Sequence, residues 1–344
     1  MMIVTEMVLP AIGDPETLQI RQRELPLPTA GEVVIRIEAT GVSFAEQSMR
    51  RGRYPGQPAF PFVPGYDMVG IVEVLGADVL DVKVGQRVAS VTKIGAWADY
   101  IILPAKDLIP VPDGLAADVA ETAVVNGITA WQMFHDLAHV RAGQTILVHG
   151  ASGGVGGLLV QLARDAGVRV IGTASSSKLE ALRALGAEPV DYRSTDIAAQ
   201  VRALAPDGVD AVFDHLGGKS LYTSWEMLAP GGTLVSYGLA TLLDSKVSMI
   251  GAFIPHLLRI FLWNILPNSR HAYFYNLWGS KTLRPHKFQR ELRASLTHVF
   301  DLLAQGRIQA QIACRLPIKR AAEALRLAES GKVSGKIVLV PALD

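Results

Sequence analysis

The sequence predicts an α/β protein of two domains, a small β-barrel-like body and a doubly wound parallel sheet. Three observations carry this. Hydrophobic periodicity is strand-like over roughly the first hundred residues and turns helical near residue 120. From there apolar strands alternate with helices, the pattern of a parallel sheet covered on both faces. A glycine cluster, GASGGVG, stands between the first of those strands and the helix after it.

Residues 33–39 (VVIRIEA) and 69–75 (VGIVEVL) alternate and are rich in β-branched residues, as strands require. Residues 86–91 (QRVASV) and 98–103 (ADYIIL) follow, with Gly and Pro between the runs. Residues 120–137 are Ala-rich with apolar positions at helical spacing. Strand 145–149 (TILVH) leads through the glycines to a helix that runs past Gln161 to Ala166. Strands at 169–173, 188–190, 211–213 and 233–237 then alternate with helices at 177–185 and 198–204. The tail, 332–341 (KVSGKIVLVP), returns to strand character. The first domain is therefore expected to be discontinuous, residues 1–123 with 308–344, enclosing a second at 124–307. Within the second, an insertion at 244–286 is dense in aromatic residues.

Of the 344 residues, 33 are Lys or Arg and 32 are Asp or Glu, and this balance offers no footprint for nucleic acid. Cys314 is the single cysteine, so no intrachain disulfide is possible and a reducing compartment is expected. The first residues lack the basic and apolar regions of a signal peptide, which points to the cytoplasm. Residues 249–266 are apolar enough to be tested as a membrane span, but Pro255, His256, Arg259 and Asn264 interrupt them. A buried or pocket-lining helix, with no integral membrane segment, is the expectation.

The glycine cluster implies chemistry. Gly150, Gly153, Gly154 and Gly156, with Ser152 and Val155 among them, allow a tight turn, close approach to a pyrophosphate and close helix packing. The helix start then offers free N–H groups to phosphate. An NAD site would place an acid at the end of the second strand. Here Thr173 and Ser175 lead to Lys178, with no acid before Glu180. Hydroxyls and a lysine suit a 2′-phosphate, and the expected cofactor is NADPH. The plainer reading is that Ser175 caps the next helix and Lys178 is solvated.

GVSFAEQSMRRGRYP, PFVPGYDMVGIVEVLG, VGQRV, NGITAW, HGASGGVG, GTASSSK, DYR, FDHLGG and SGKIVLVP fall in an order that resembles the medium-chain dehydrogenase/reductase superfamily. More narrowly, they resemble its quinone oxidoreductase branch, the group of zeta-crystallin and vesicle amine transport protein 1. The resemblance implies a GroES-like domain, a Rossmann domain and an active-site cleft. It further implies cofactor contacts at Asn126, Thr129, Tyr192, Leu216, Gly217, Tyr237, Gly238, Gly335 and Lys336, beside the glycine loop, Thr173, Ser175 and Lys178. Positions that hold zinc ligands in zinc-dependent relatives look like Ser43, Tyr66 and Asn126, so no metal is expected.

Relatives often carry Asn and Tyr where Ser43 and Ser48 stand, which weakens any acid role taken by analogy. Tyr54 and Ser43 are the catalytic candidates. Tyr54 could hydrogen-bond a carbonyl oxygen or serve as an aromatic wall. Tyr54, Tyr66, Phe253 and Trp278 are expected to line the substrate pocket. His215 could donate a proton or be a structural hydrogen-bonding residue, and His149 reads as structural. The aromatic insertion suits a pocket for a flat hydrophobic ligand, an interface in a homodimer or a membrane surface.

The expected function is a zinc-free, NADPH-dependent reductase acting on a small quinone or α,β-unsaturated carbonyl substrate. One alternative is an enoyl-thioester reductase of lipid or polyketide synthesis, with Arg50, Arg51 and Arg53 taking a phosphopantetheine arm. Another is an NADPH-binding protein without turnover.

Overall fold

The computed structural model describes residues 2–194, 196–243 and 249–341. The chain divides into two compact units, Met1–Ile128 with Ser280–Asp344, and Thr129–Gly279.

The first unit opens with β1 (Met2–Val8), paired antiparallel with β2 (Gln19–Leu25). Then come β3 (Glu32–Val42), α1 (Phe44–Arg50), β4 (Asp67–Leu75), β5 (Arg87–Val91), β6 (Tyr100–Pro104), β7 (Ile109–Pro110) and α2 (Ala117–Glu121). The long strand β3 organises the unit. Its residues 33–40 pair with β4, while its first half also pairs with β6. Register shifts at Val34/Ile35 and Ile37/Ala39 bend it, as a closing barrel requires. Val33, Ile35 and Ile37 alternate inward onto Met68, Val72, Val88 and Leu108.

The helix expected over 120–137 is in three pieces. The Thr122 hydroxyl donates to the Val119 carbonyl at 2.7 Å and closes α2. After it come α3 (Val124–Trp131) and a π-helical turn at Gln132–Leu137.

The second unit runs β8 (Thr145–Val148), α4 (Gly154–Asp165), β9 (Arg169–Ala174), α5 (Leu179–Ala184), β10 (Glu188–Asp191) and α6 (Ile197–Leu204). It continues through β11 (Val209–Asp214), α7 (Lys219–Glu226), β12 (Leu228–Ser236), α8 (Met249–Ile265) and β13 (His271–Phe274). All pairings are parallel in the order β10-β9-β8-β11-β12-β13, the Rossmann arrangement. Leu147, Ile171, Val212 and Leu234 fill its core.

Much of the supposed insertion is thus the last crossover helix and sixth strand of this sheet. Residues 244–248 of it lie outside the described residues. The helix expected to be buried at 249–266 buries only one side, with Ile254, Leu258, Phe261 and Ile265 exposed.

The chain re-enters the first unit with α9 (Pro285–Ala304), β14 (Ile312–Pro317), α10 (Ala321–Glu329) and β15 (Lys336–Val340). This return comes earlier than the expected boundary at 308. Gln289 of α9 donates to Asp107 at 2.6 Å, and Arg293 donates to the Leu108 carbonyl at 2.9 Å. β15 pairs antiparallel with the end of β3, Ile337 opposite Val42, and parallel with β14.

Candidate active site

The carboxyl ends of β8 to β12 flank the point where strand order reverses between β8 and β11, where open α/β sheets take ligands. From β8 the chain turns through Gly150, whose φ of +63° disfavours a side chain. The imidazole of His215 also fills the space a Cβ would need there. Gly156 sits in the first turn of α4. A Cβ on it would run into the Gly150 carbonyl and lie 2.8 Å from Ala151 Cα. Backbone therefore packs on backbone, leaving the start of α4 open to a ligand. The Gly157 N–H bonds the Gly153 carbonyl at 2.7 Å, so the N–H groups of Gly154, Val155 and Gly156 come before the helix ladder begins. With Ser152 they form a cradle fit for a pyrophosphate.

A directed string of hydrogen bonds holds this turn. The Gly150 N–H donates to Thr173 Oγ1 at 3.1 Å, and that hydroxyl lies 3.3 Å from His149 Nδ1. His149 Nε2 lies 3.0 Å from Ser224 Oγ, which donates to Asp214 Oδ2 at 2.7 Å. The serine spends its proton on the carboxylate, so His149 carries its proton on Nε2 and accepts at Nδ1. Burial lowers the His149 pKa and keeps the ring neutral. Asp214 also accepts from Leu216 N at 2.7 Å, Gly217 N at 3.0 Å and Ser220 Oγ at 2.8 Å. Burial alone would raise its pKa, but His149 and these donors outweigh it and leave the group low. Thr173, expected beside the cofactor, is thus committed to the turn. Asp214 and Ser224 were missed, although Asp214 directly precedes His215 in FDHLGG.

At the end of β9, Ser175 is buried with its hydroxyl 3.3 Å from that of Ser177. Burial lowers the Lys178 pKa. At the adjoining end of β10, the Tyr192 N–H donates to the Ala174 carbonyl at 3.1 Å, and the Arg193 guanidinium lies 5.9 Å from the Tyr192 ring. Arg193 was overlooked, although it closes the DYR motif. The next acid, Glu180, is paired with Arg183 at 2.7 Å. These strand ends are rich in hydroxyls and cations, the chemistry that receives a phosphate dianion.

Leu216, Gly217, Tyr237 and Gly238 lie at the ends of β11 and β12. Gly238 backs onto the His215 carbonyl, where a Cβ would come within 2.7 Å. His215 faces Tyr237 with ring centroids 5.8 Å apart. Burial pushes its pKa down to about 4, so it stands neutral near pH 7, and its Nδ1 has no partner among the described residues. Burial likewise raises the Tyr237 phenol. Thr129 is buried on α3. Phe253 packs edge-on against Phe274 at 5.0 Å, and the Trp278 N–H closes a turn on Asn276 at 3.1 Å.

The other predicted residues lie in the first unit. The Tyr54 and Tyr66 hydroxyls are 2.6 Å apart, with rings edge-on at 5.9 Å and the Lys93 ammonium 5.8 Å from the Tyr54 ring centre. Glu46 braces them from below, accepting the Tyr66 N–H at 2.7 Å. Ser43 is the N-cap of α1. Its Oγ accepts from Ala45 N at 3.1 Å and donates to Glu46, whose Oε2 takes the Ser43 N–H at 2.8 Å. A hydroxyl so engaged is a poor acid, and Ser43 is corrected to a capping residue. Ser48 donates to the Phe44 carbonyl at 2.8 Å.

Lys336 is the second correction. Its ammonium donates to Asp67 Oδ2 at 2.6 Å and to the Glu121 carbonyl at 3.3 Å, and forms an ion pair with Glu121 Oε1 at 2.5 Å. All three side chains are buried, and the lysine is held by two carboxyl groups of its own unit. Gly335 (φ +85°) sets the turn that lets the Lys336 N–H reach the Gln311 carbonyl at 2.8 Å. Asn126 is buried one residue past Val125, whose N–H donates to Asp67 at 3.0 Å. Arg50 and Arg51 pair with Glu329 at 2.8 and 3.1 Å, which withdraws both from any phosphopantetheine role. Among the described residues no group of three or more His, Cys, Asp or Glu side chains is arranged to hold a metal ion.

The chain matches the alcohol dehydrogenase GroES-like domain over residues 29–113 and the zinc-binding dehydrogenase domain over residues 185–339. It is 33% identical to the rat synaptic vesicle membrane protein VAT-1 homolog, over 97% of this chain and 83% of that one. It is also 33% identical to a quinone oxidoreductase of Pseudomonas aeruginosa, over 96% and 98% of the two chains. A mycobacterial protein solved in complex with NADPH superposes with a TM-score of 0.84 at 31% identity, covering 98% of this chain and 100% of that one. With its GroES-like and Rossmann units, the chain belongs to the medium-chain dehydrogenase/reductase superfamily, in the zinc-independent branch of the quinone oxidoreductases and VAT-1 homologues.

Proposed function

We propose that the protein is an NADPH-dependent, zinc-free reductase that delivers hydride to quinones or α,β-unsaturated carbonyl compounds in the cytoplasm. The observation that carries the cofactor choice is the hydroxyl and cation set of Ser175, Lys178, Tyr192 and Arg193 at adjoining strand ends, with Glu180 paired to Arg183 and Asp191 accepting the Arg193 N–H. The relative solved with NADPH and the relative named quinone oxidoreductase support the same reading.

NADPH, when bound, supplies the hydride. The chain's own groups bind and orient. The N–H groups at the start of α4 would hold the pyrophosphate, and the string from Gly150 to Asp214 fixes that turn. Neutral His215 and protonated Tyr237 would place no charge beside a nicotinamide held at the ends of β11 and β12. The hydrogen-bonded Tyr54–Tyr66 phenol pair is the candidate source of a proton for a substrate oxygen.

The test is reductant consumption by the purified protein, NADPH against NADH, with quinones, enones and enoyl thioesters as acceptors. Turnover of quinones or enones that strongly prefers NADPH is expected. Turnover confined to thioesters, or tight NADPH binding with no acceptor reduced, would displace this reading. Tyr54→Phe and Tyr66→Phe should each lower kcat by about 10²-fold if the pair gives the proton. An unchanged kcat for both leaves the pair as an aromatic wall.

A further inference from the structure

The Tyr54–Tyr66 pair has a cation beside it that proton delivery alone does not require. The Lys93 ammonium lies 5.8 Å from the centre of the Tyr54 ring and donates to the Gly56 carbonyl at 2.7 Å. Its backbone is fixed to the residue of the other phenol. The Tyr66 carbonyl accepts the Thr92 N–H at 2.8 Å and the Lys93 N–H at 3.2 Å. The Thr92 hydroxyl donates to the Gly65 carbonyl at 2.7 Å. Lysine and phenols are thus mounted on one frame, with Glu46 holding the Tyr66 N–H.

The backbone at Lys93 points the same way. Its φ is +68°, in the left-handed region that a long side chain rarely occupies. Two residues on, the chain takes the same hand at Gly95 (φ +101°), and there glycine meets the demand without strain. Strained positions that keep a side chain persist where the surroundings over-determine them, and they cluster at ligand clamps.

A second cation joins the first, and both belong to the first unit. Burial and the like charge of Lys281 lower the Lys93 pKa, and among the described residues no carboxylate offsets them. Lys281 lies 6.0 Å from the Phe288 ring and heads a run, 281–290, with four Lys or Arg and no Asp or Glu. Glu46, the carboxyl that braces the phenols, already accepts from the Tyr66 and Ser43 N–H groups. Two like charges held near each other and partly out of water repel, and an anion beside them relieves the repulsion.

We propose that Lys93, with Lys281, recognises an anionic group on the acceptor, so that the favoured substrates are quinones or enones bearing a carboxylate or phosphoryl group near the reducible carbonyl. The reducible end rests on the reductase reading given above; the anion site itself does not.

The experiment compares trans-4-oxopent-2-enoate with its methyl ester as acceptors, at saturating NADPH, for wild type, Lys93→Met and Lys93→Arg. Acid and ester share the enone and differ in the charge. The acid-to-ester ratio of kcat/KM should fall about tenfold in Lys93→Met, through KM of the acid, and be kept in Lys93→Arg. Benzoate and phenyl phosphate, titrated calorimetrically into the NADPH-loaded protein, tell a carboxylate site from a phosphoryl site. At least one should bind wild type and bind Lys93→Met about tenfold more weakly. If Lys93→Met misfolds, Lys281→Met takes its place. A ratio unchanged in a folded variant, or neither anion binding wild type, overturns the proposal. If no acceptor is reduced, the ester and simple quinones included, the reductase reading falls and the titration alone decides the anion site.

Discussion

Replacing Lys336 by methionine isolates the buried triad from every other role given to that lysine. The substitution keeps roughly the length of the side chain and removes the ammonium that Asp67 and Glu121 share, leaving two carboxyl groups side by side out of water. Removing one partner of a buried ion pair typically costs about 3–5 kcal/mol. At roughly 2–4 °C per kcal/mol for a body of this size, the melting temperature should drop by about 6–20 °C. The pH dependence gives a sharper signature. Burial, working against the pull of Lys336, holds the Glu121 carboxyl well above its ordinary 4.5. The folded chain thus keeps a proton that the unfolded chain releases above that pH, and stability falls as pH rises towards the folded value. Lys336 itself is raised, so its contribution is complete below the ordinary lysine value of 10.5 and adds no slope near neutrality. Without the ammonium the Glu121 window widens, and the deficit should be larger near pH 8 than near pH 5. Thermal unfolding by circular dichroism across that range, with NADPH titration by fluorescence, reads both effects. Adding Glu121→Gln should recover most of the loss. A Lys336→Met protein that melts with the wild type but no longer holds NADPH would refute the triad and make the lysine a cofactor ligand.

Gly156→Ala places a methyl against the Gly150–Ala151 backbone and should push α4 outward, costing about 1–3 kcal/mol. A displacement near 1 Å at the phosphates should weaken NADPH binding by about 10²-fold, and an unchanged Kd by calorimetry would refute the close-packing account. Ser43→Ala should lose about 1 kcal/mol through the cap while keeping kcat, with Ser43→Thr restoring stability. A collapse of kcat in a stable Ser43→Ala protein would return Ser43 to the chemistry. Because burial lowers Lys178, NADPH affinity should begin to fall at a pH below the ordinary lysine value of 10.5, with NADH affinity flat. Parallel profiles for the two cofactors would remove Lys178 from the phosphate site.

Local signals carried much of this structure. The strand, glycine turn and helix around Gly150 follow from glycine's conformational freedom and helix-terminus chemistry, which act over about ten residues. The same range covers Ser175 and Lys178. The Ser43–Glu46 capping box was equally local, but it was passed over in favour of a catalytic serine. Lys336 could not be read this way, since its acids stand 269 and 215 positions away and only the β15–β3 pairing brings them together. β13 was hidden for another reason. HAYF is four residues long and half exposed, too brief for periodicity to show, so its aromatic neighbours read as an insertion.

The pairing of β15 with β3 also sets a timetable. During synthesis, residues 129–279 emerge complete and can build their parallel sheet while the first unit still lacks an inner strand. At ribosomal speeds of about 5–20 residues per second, Val42 waits roughly 15–60 s before Ile337 can reach it. The nascent chain must carry that exposed backbone edge through the interval. Aggregation pressure, chaperone demand and sensitivity to truncation at the tail should therefore fall mainly on the half of the protein that is translated first.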